Sequence, residues 1–154
     1  MITVEKAREQ DIHAIHEIVQ AAFAREAVRV NNWKIAPLAE TEENLRPLIG
    51  KITILVAKED GAIVGTGRAT PDGDTVRIGR LAVRPNCQRR GIATTIVRAL
   101  EAGHPSAARF EIFTSETSLD NIALYNKLGY AIYDRRKGPD GTALVFMEKR
   151  HPAK

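Results

Sequence analysis

Cysteine is nearly absent: of 154 residues only Cys87 carries a thiol. A lone thiol excludes an intrachain disulfide and a cysteine-built zinc site, and it fits a reducing, intracellular setting. Aromatic residues are scarce too, at 5%. There is no interleaved aromatic and basic platform on which single-stranded nucleic acid would stack. No run approaches the ~20 apolar residues that span a bilayer. The opening MITVEKAREQDIHAIHE carries Glu5, Lys6, Arg8 and Glu9 and has no apolar stretch like the core of a signal peptide. Repeats, low-complexity blocks and linkers are missing as well. Together these absences predict one cytoplasmic domain over residues 1–154, with neither membrane nor nucleic acid as partner.

What is present is an ordinary globular composition, 44% hydrophobic and 27% charged. A chain of this length buries roughly two thirds of its unfolded surface, so a core needs no metal or disulfide. Lys+Arg 23 against Asp+Glu 19 gives +4. That modest excess suits an anionic small molecule.

The hydropathy pattern predicts a short strand over Ile2–Glu5 and a helix from Gln10 to Ala27. In the helix Ile12, Ile15, Val19, Ala22 and Phe23 form one stripe at spacings of three and four. Val28–Pro37 reads as irregular, and a second helix runs from Thr41 to about Ile49 with Pro47 awkward inside it. Ile52–Lys58, Ala62–Ala69 and Asp74–Val83 are strands joined by the turns Glu59-Asp60-Gly61 and Pro71-Asp72-Gly73, an antiparallel meander. Gly91–Ala102 is an amphipathic helix and Arg109–Thr114 a strand, so the meander's last strand enters a crossover that makes a parallel pair. A short helix covers Asp120–Leu128, capped by Ser118 and stopped by Gly129. Tyr130–Asp134 and Thr142–Glu148 close the chain as a hairpin. This order predicts a mixed α/β fold: a mostly antiparallel central sheet of six to seven strands with helices on both faces.

The chemistry concentrates in L-A-V-R-P-N-C-Q-R-R-G-I-A, Leu81 to Ala93. A strand ends, a proline corner follows, and a helix opens through Arg-Arg-Gly. Helix N-termini present unpaired N–H groups and the positive end of the dipole. Gly91 removes a side chain where an anion would approach the backbone. That combination holds a pyrophosphate. Between Arg77 and Arg98 there are six arginines (77, 80, 84, 89, 90, 98) and no acid.

This loop resembles the pyrophosphate motif Q/R-x-x-G-x-G/A of the GNAT superfamily of N-acetyltransferases. A second block, D-N-I-A-L-Y-N-K-L-G-Y from Asp120 to Tyr130, is similar to the family's N-x-x-A-x-x-x-Y-x-x-x-G-F/Y region, with the tyrosine nearer the alanine. The element order matches over nearly the whole chain. The resemblance implies acetyl-CoA as cofactor. Leu81, Ala82 and Val83 would offer backbone groups to the pantetheine arm. Gln88, Arg89, Arg90, Gly91, Ile92, Ala93 and Thr94 would cradle the pyrophosphate, and Asn121 would bond the pantetheine side. Tyr125 would protonate the departing thiolate, and a backbone N–H near Val83 would steady the oxyanion.

A base must also take a proton from the amine. Many family members carry an acid on the strand before the loop, where this chain has Arg77, Ile78, Gly79 and Arg80. Glu26, within the apolar stripe of the first helix, is the first candidate; Glu111 and a water chain are the others. Arg80 would instead attract an anionic acceptor.

Other features read more plainly. His13 and His16 share a helix face without a third ligand, so no metal site is expected. Cys87 is a bystander beside the loop. Gly65-Thr66-Gly67 lacks the third glycine and following helix of a dinucleotide fingerprint. Trp33 is either a lid over an acceptor or a core anchor. The resulting expectation is an N-acetyltransferase acting on a primary amine of a small molecule. Acetylation of a protein N-terminus or lysine, and a non-catalytic acyl-CoA-binding module, are the alternatives. The resemblance leaves a homodimer open.

Overall fold

A computed structural model describes residues 1–30, 35–139 and 141–151; Trp33 and Asp140 lie outside them. Among the described residues seven strands form one sheet in the order β1-β2-β3-β4-β5-β7-β6. The strands are β1 Ile2–Lys6, β2 Thr53–Glu59, β3 Ala62–Asp72, β4 Thr75–Val83, β5 Arg109–Ser115, β6 Ala131–Lys137 and β7 Ala143–Arg150. Neighbours run antiparallel except β4 and β5, which are parallel. The mixed, mostly antiparallel sheet is therefore as expected.

Helix α1 (Ile12–Val30) and the short helices α2 (Ala36–Ala39) and α3 (Glu42–Leu45) precede β2. Helix α4 (Ile92–Ala102) crosses from β4 to β5, and α5 (Leu119–Lys127) follows β5. Alternation along β2 shows the two-faced burial. Ile54 and Val56 join Ile12, Ile15, Ile18, Val19 and Leu45 in a core under α1. Leu55 and Ala57 join Ile92, Ile96, Val97 and Leu100 in the core under α4. A strand covered on both faces reads as a continuous apolar run, as ITILVA does.

Two stretches depart from expectation. Residues 28–30 continue α1, because valine costs a helix only a few tenths of a kcal/mol and no breaker intervenes. The second helix is shorter than expected. Thr41 caps it, accepting from the Asn44 amide, and the α-helical part ends at Leu45. Pro47 then falls in a 3-10 turn, Arg46–Leu48, near the turn's start, where a missing N–H costs nothing.

Gly65 and Gly67 have a packing reason. A Cβ on Gly67 would stand 2.8 Å from Ile96 Cγ2, and one on Gly65 would stand 3.0 Å from Ile96 Cδ1. The pair lets α4 settle onto β3.

One feature of the sheet positions everything that follows. The parallel ladder holds only Thr75–Arg109, Val76–Phe110 and Arg77–Glu111. Beyond Arg77 the strands part, although β4 continues to Val83 and β5 to Ser115. The β4 edge from Ile78 onward faces an opening in the sheet.

Candidate active site

One end of this opening is the loop between β4 and α4. Arg89 and Gly91 both hold left-handed backbone, at φ 64° and 79°. Gly91 is the N-cap of α4 and provides no side-chain cap. The first helical amide bond runs from Thr95 to Gly91, so the amides of Ile92, Ala93 and Thr94 have no intrahelical acceptor. No acid lies in this first turn. A Cβ built on Gly91 meets nothing within 4 Å, so the space in front of the helix end is open.

The six arginines of this stretch do not act together. Arg90 pairs with Glu59, Arg84 with Glu17 at 3.2 Å, and Arg77 with Asp72 at 2.9 Å and Glu111 at 3.4 Å. Arg80 lies near Glu40. The hydrogen bond from Arg90 draws Glu59 below the usual carboxylate range. Exposed Arg89 has no ion pair among the described residues. The local surplus of charge is thus largely neutralised by acids distant in sequence. Gln88 also faces the protein: its amide donates to the Val83 carbonyl at 3.3 Å, and its oxygen accepts from Arg25 at 3.1 Å. Cys87 is buried in the 3-10 turn Pro85–Cys87.

The other end of the opening gathers Tyr125, Glu26 and Ser118. Tyr125 is 5% exposed on α5 and belongs to the core under α4. Burial, reinforced by the negative charge of Glu26, pushes its hydroxyl far above the ordinary tyrosine range. Glu26 sits on α1, which packs on the opposite face. It reaches the α5 side where β4 and β5 have separated, and there it accepts a hydrogen bond from the buried Ser118 hydroxyl. Arg29 lies 3.6 Å from its other oxygen. Ser118 does occupy the N-cap of α5, but its side chain makes no cap bond, a correction to its expected role. A cap would use the Ser118 oxygen as an acceptor; here the hydroxyl instead donates to the Glu26 carboxylate, a charge-assisted bond. Asn121 donates to Thr114 Oγ1 at 3.2 Å, tying α5 to the end of β5.

Glu111 lies in the last rung of the ladder, where the opening begins. Burial alone would raise its carboxyl, but hydrogen bonds from Tyr133 and Arg109 and the charges of Arg109 and Arg77 hold it below the usual range. The histidines tether α1 to the segment that follows it. His13 Nδ1 lies 2.9 Å from Glu42, and His16 Nε2 lies 3.0 Å from the Glu40 carbonyl.

A buried cluster beside the opening was not singled out from the sequence as a whole, although Arg80 was. Arg68 on β3 gives both terminal nitrogens to Glu40, at 2.9 and 3.0 Å. Both side chains are 10% exposed. Burial alone would raise the Glu40 carboxyl; the Arg68 hydrogen bonds and the Arg68 and Arg80 charges pull it below the usual range. A charged residue in the apolar run AIVGTGRA was the available signal. Its partner Glu40 is distant in sequence and left none.

Residues 12–130 match the model of a family described as Acetyltransferase (GNAT) family. A Bacillus subtilis protein that bears an acetyltransferase name is 26% identical over 142 residues, 92% of this chain and 91% of its own. Among solved structures, the PaiA N-acetyltransferase of Thermoplasma acidophilum, in complex with coenzyme A, superposes with a TM-score of 0.83. It is 15% identical, over 98% of this chain and 99% of that one. The ribosomal-protein-S18-alanine N-acetyltransferase of Escherichia coli gives 0.79 at 19% identity, over 97% and 94%.

Proposed function

The chain belongs to the GNAT family of acetyltransferases, and on that premise we propose that it acetylates a primary amine of a small molecule, by direct attack in a ternary complex. Family membership makes it an acetyl-CoA-dependent acetyltransferase. The observation that carries the finer reading is the opening after Arg77, with an unfilled helix end on one side and Tyr125 with Glu26 on the other.

The residues present fit the cofactor. The open space at Gly91, the acceptor-free amides of Ile92, Ala93 and Thr94, and the unpaired Arg89 suit a pyrophosphate. With their side chains turned to protein partners, Gln88 and Arg90 would contribute backbone. The free edge of β4 offers the backbone of Leu81, Ala82 and Val83 to an extended pantetheine arm, and Asn121 lines the far side. Acetyl-CoA brings an acetyl group activated as a thioester.

Tyr125 keeps its proton across the physiological range, because burial and Glu26 both oppose its ionisation. It is therefore a standing donor for the sulfur that leaves. Glu26, a carboxylate at the opening, takes a proton from the acceptor's ammonium, directly or across a water, and so frees the neutral amine that attacks the thioester. Ser118 and Arg29 hold it in place. Glu111, enclosed by two arginines and Tyr133, does not serve as the base.

The wall on the acceptor side is pinned to α1 by His13, His16 and Gln20, which favours a compact acceptor over a polypeptide. We place the activity in the cytoplasm, in one domain; among the described residues no helix is long and apolar enough to cross a membrane. Thiol release from acetyl-CoA, measured across small amines and across peptides with free N-termini and lysines, tests the proposal. Turnover confined to small amines is expected. Turnover of peptides alone would transfer the reading to a protein acceptor, the role named in the E. coli neighbour. CoA binding without turnover of either would leave a non-catalytic module.

A further inference from the structure

Arg80 occupies an unusual position. Thr66 pairs with Ala82 and Arg68 with Gly79, so Arg80 and Leu81 together face the single residue Gly67. This is a β-bulge, and Arg80 carries its strain at φ 47°. Ala82 belongs to the core under α1, whereas Leu81 packs against the core under α4. Arg80 thus joins Arg68 and Glu40 on the α1 side of the sheet, beside the opening and just before the stretch assigned to the pantetheine arm.

The cluster holds two guanidinium groups and one carboxylate. Arg68 takes both oxygens of Glu40 in a fork-to-fork pair. Arg80 Nε comes no nearer that carboxylate than 3.7 Å, and this buried nitrogen has no hydrogen-bond partner among the described residues. His16 and Gln20, which approach from α1, turn to the Glu40 carbonyl and bring no anion. A buried cation without its complement of acceptors is costly, and fixed strain at a strand bulge is characteristic of functional positions. Burial and the neighbouring Arg68 charge oppose the charge on Arg80, and Glu40 offsets them only in part; an arriving anion would restore the balance.

We propose that Arg80 anchors an anionic oxygen group of the acceptor, so that the substrates are amines bearing a carboxylate, of the amino-acid type. The inference rests on the acetyltransferase reading of the same opening. Arg68 and Glu40 act as the frame: their mutual pairing holds the site and leaves Arg80 as the free donor. The guanidinium fork matches a carboxylate in two parallel bonds.

The test pairs each free L-amino acid with its own carboxamide and measures kcat/KM in the wild type, Arg80→Gln and Arg80→Lys. The carboxamide has the less basic amine and so more free base at neutral pH. A preference for the acid must therefore come from its charge. Wild type is expected to favour the acids by roughly 10- to 100-fold, the range of a buried charge-assisted bond. In Arg80→Gln that preference collapses through KM, with kcat and the acetyl-CoA-induced rise in Tm retained. Arg80→Lys keeps part of the preference. Equal use of acids and amides by the wild type, or an unchanged preference in Arg80→Gln, overturns the role of Arg80 while the acetyltransferase reading stands. Failure of every amine in the panel, with peptides acetylated, defeats the small-molecule acceptor together with the role of Arg80 and leaves the acetyltransferase activity standing.

Discussion

Arg80 and Arg89 both hold a positive φ, at 47° and 64°, and flank the same strand end at Val83, yet their surroundings are opposite. Arg89 is exposed beside an open helix terminus whose first amides lack acceptors among the described residues. Arg80 is half-buried beside a carboxylate already claimed by Arg68. At the loop, the open helix end is made by residues adjacent in the chain. On the strand, the charge has meaning only through Arg68 and Glu40, which the sheet and α2 bring to it. A run of arginines in a sequence is therefore not one patch. Its members separate into a residue beside an open helix end, structural pairs such as Arg90–Glu59, and one cation whose Nε lacks a hydrogen-bond acceptor among the described residues.

The most severe test of the loop half is Gly91→Val. The substitution forces a β-branched side chain into φ 79° and fills the space before the helix end. The wild type, at acetyl-CoA concentrations ~100 times Kd, should gain about 2.7 kcal/mol, a clear rise in Tm. The variant should show no such rise with acetyl-CoA or CoA. A full shift in Gly91→Val would remove the loop as the cofactor site.

Next is Tyr125→Phe, which should lower kcat roughly 100-fold or more, within the range of a lost acid catalyst. The acetyl-CoA-induced Tm shift should stay intact. An unchanged kcat would leave Tyr125 as a core aromatic packed near Tyr130.

The smallest effect sharpens the strand half. Glu40 has a folded pKa below its ordinary 4.5. Its contribution to stability is fully present above that value and is lost as pH falls through the depressed folded value. Glu40→Gln should cost on the order of 2–3 kcal/mol at pH 7, below the ~3–5 of a fully buried pair because Arg80 is half-buried, since it leaves the buried Arg68 and Arg80 facing an amide. The gap in Tm between wild type and variant should close at acidic pH. A gap independent of pH would show that shape, not charge, is what Glu40 provides.

The sequence pointed to Gly91, Arg89 and Tyr125 as candidates, because each belongs to a contiguous motif with its own local signal, and the structure places them beside the opening. It also identified the meander, since ITILVA and the turns at Gly61 and Gly73 announce themselves by composition. Ser118 shows where such reading fails. Its place before α5 is legible, but the destination of its hydroxyl is Glu26, on a helix far away in the chain. The length of α1 was missed for a different reason: nothing in Val28 or Arg29 marks an end or a continuation, and tertiary packing decided it.

By itself, then, the sequence determined the order of elements, the mixed sheet, and the glycine-opened helix end after β4, because these follow from periodicity and from groups adjacent along the backbone. Only the tertiary structure decided that β4 and β5 part after Arg77, that Glu26 meets Ser118 and Tyr125 across the opening, and that Arg80 is left short of acceptors. Those are properties of pairs brought together from distant segments, and burial sets their energies only after the chain has folded.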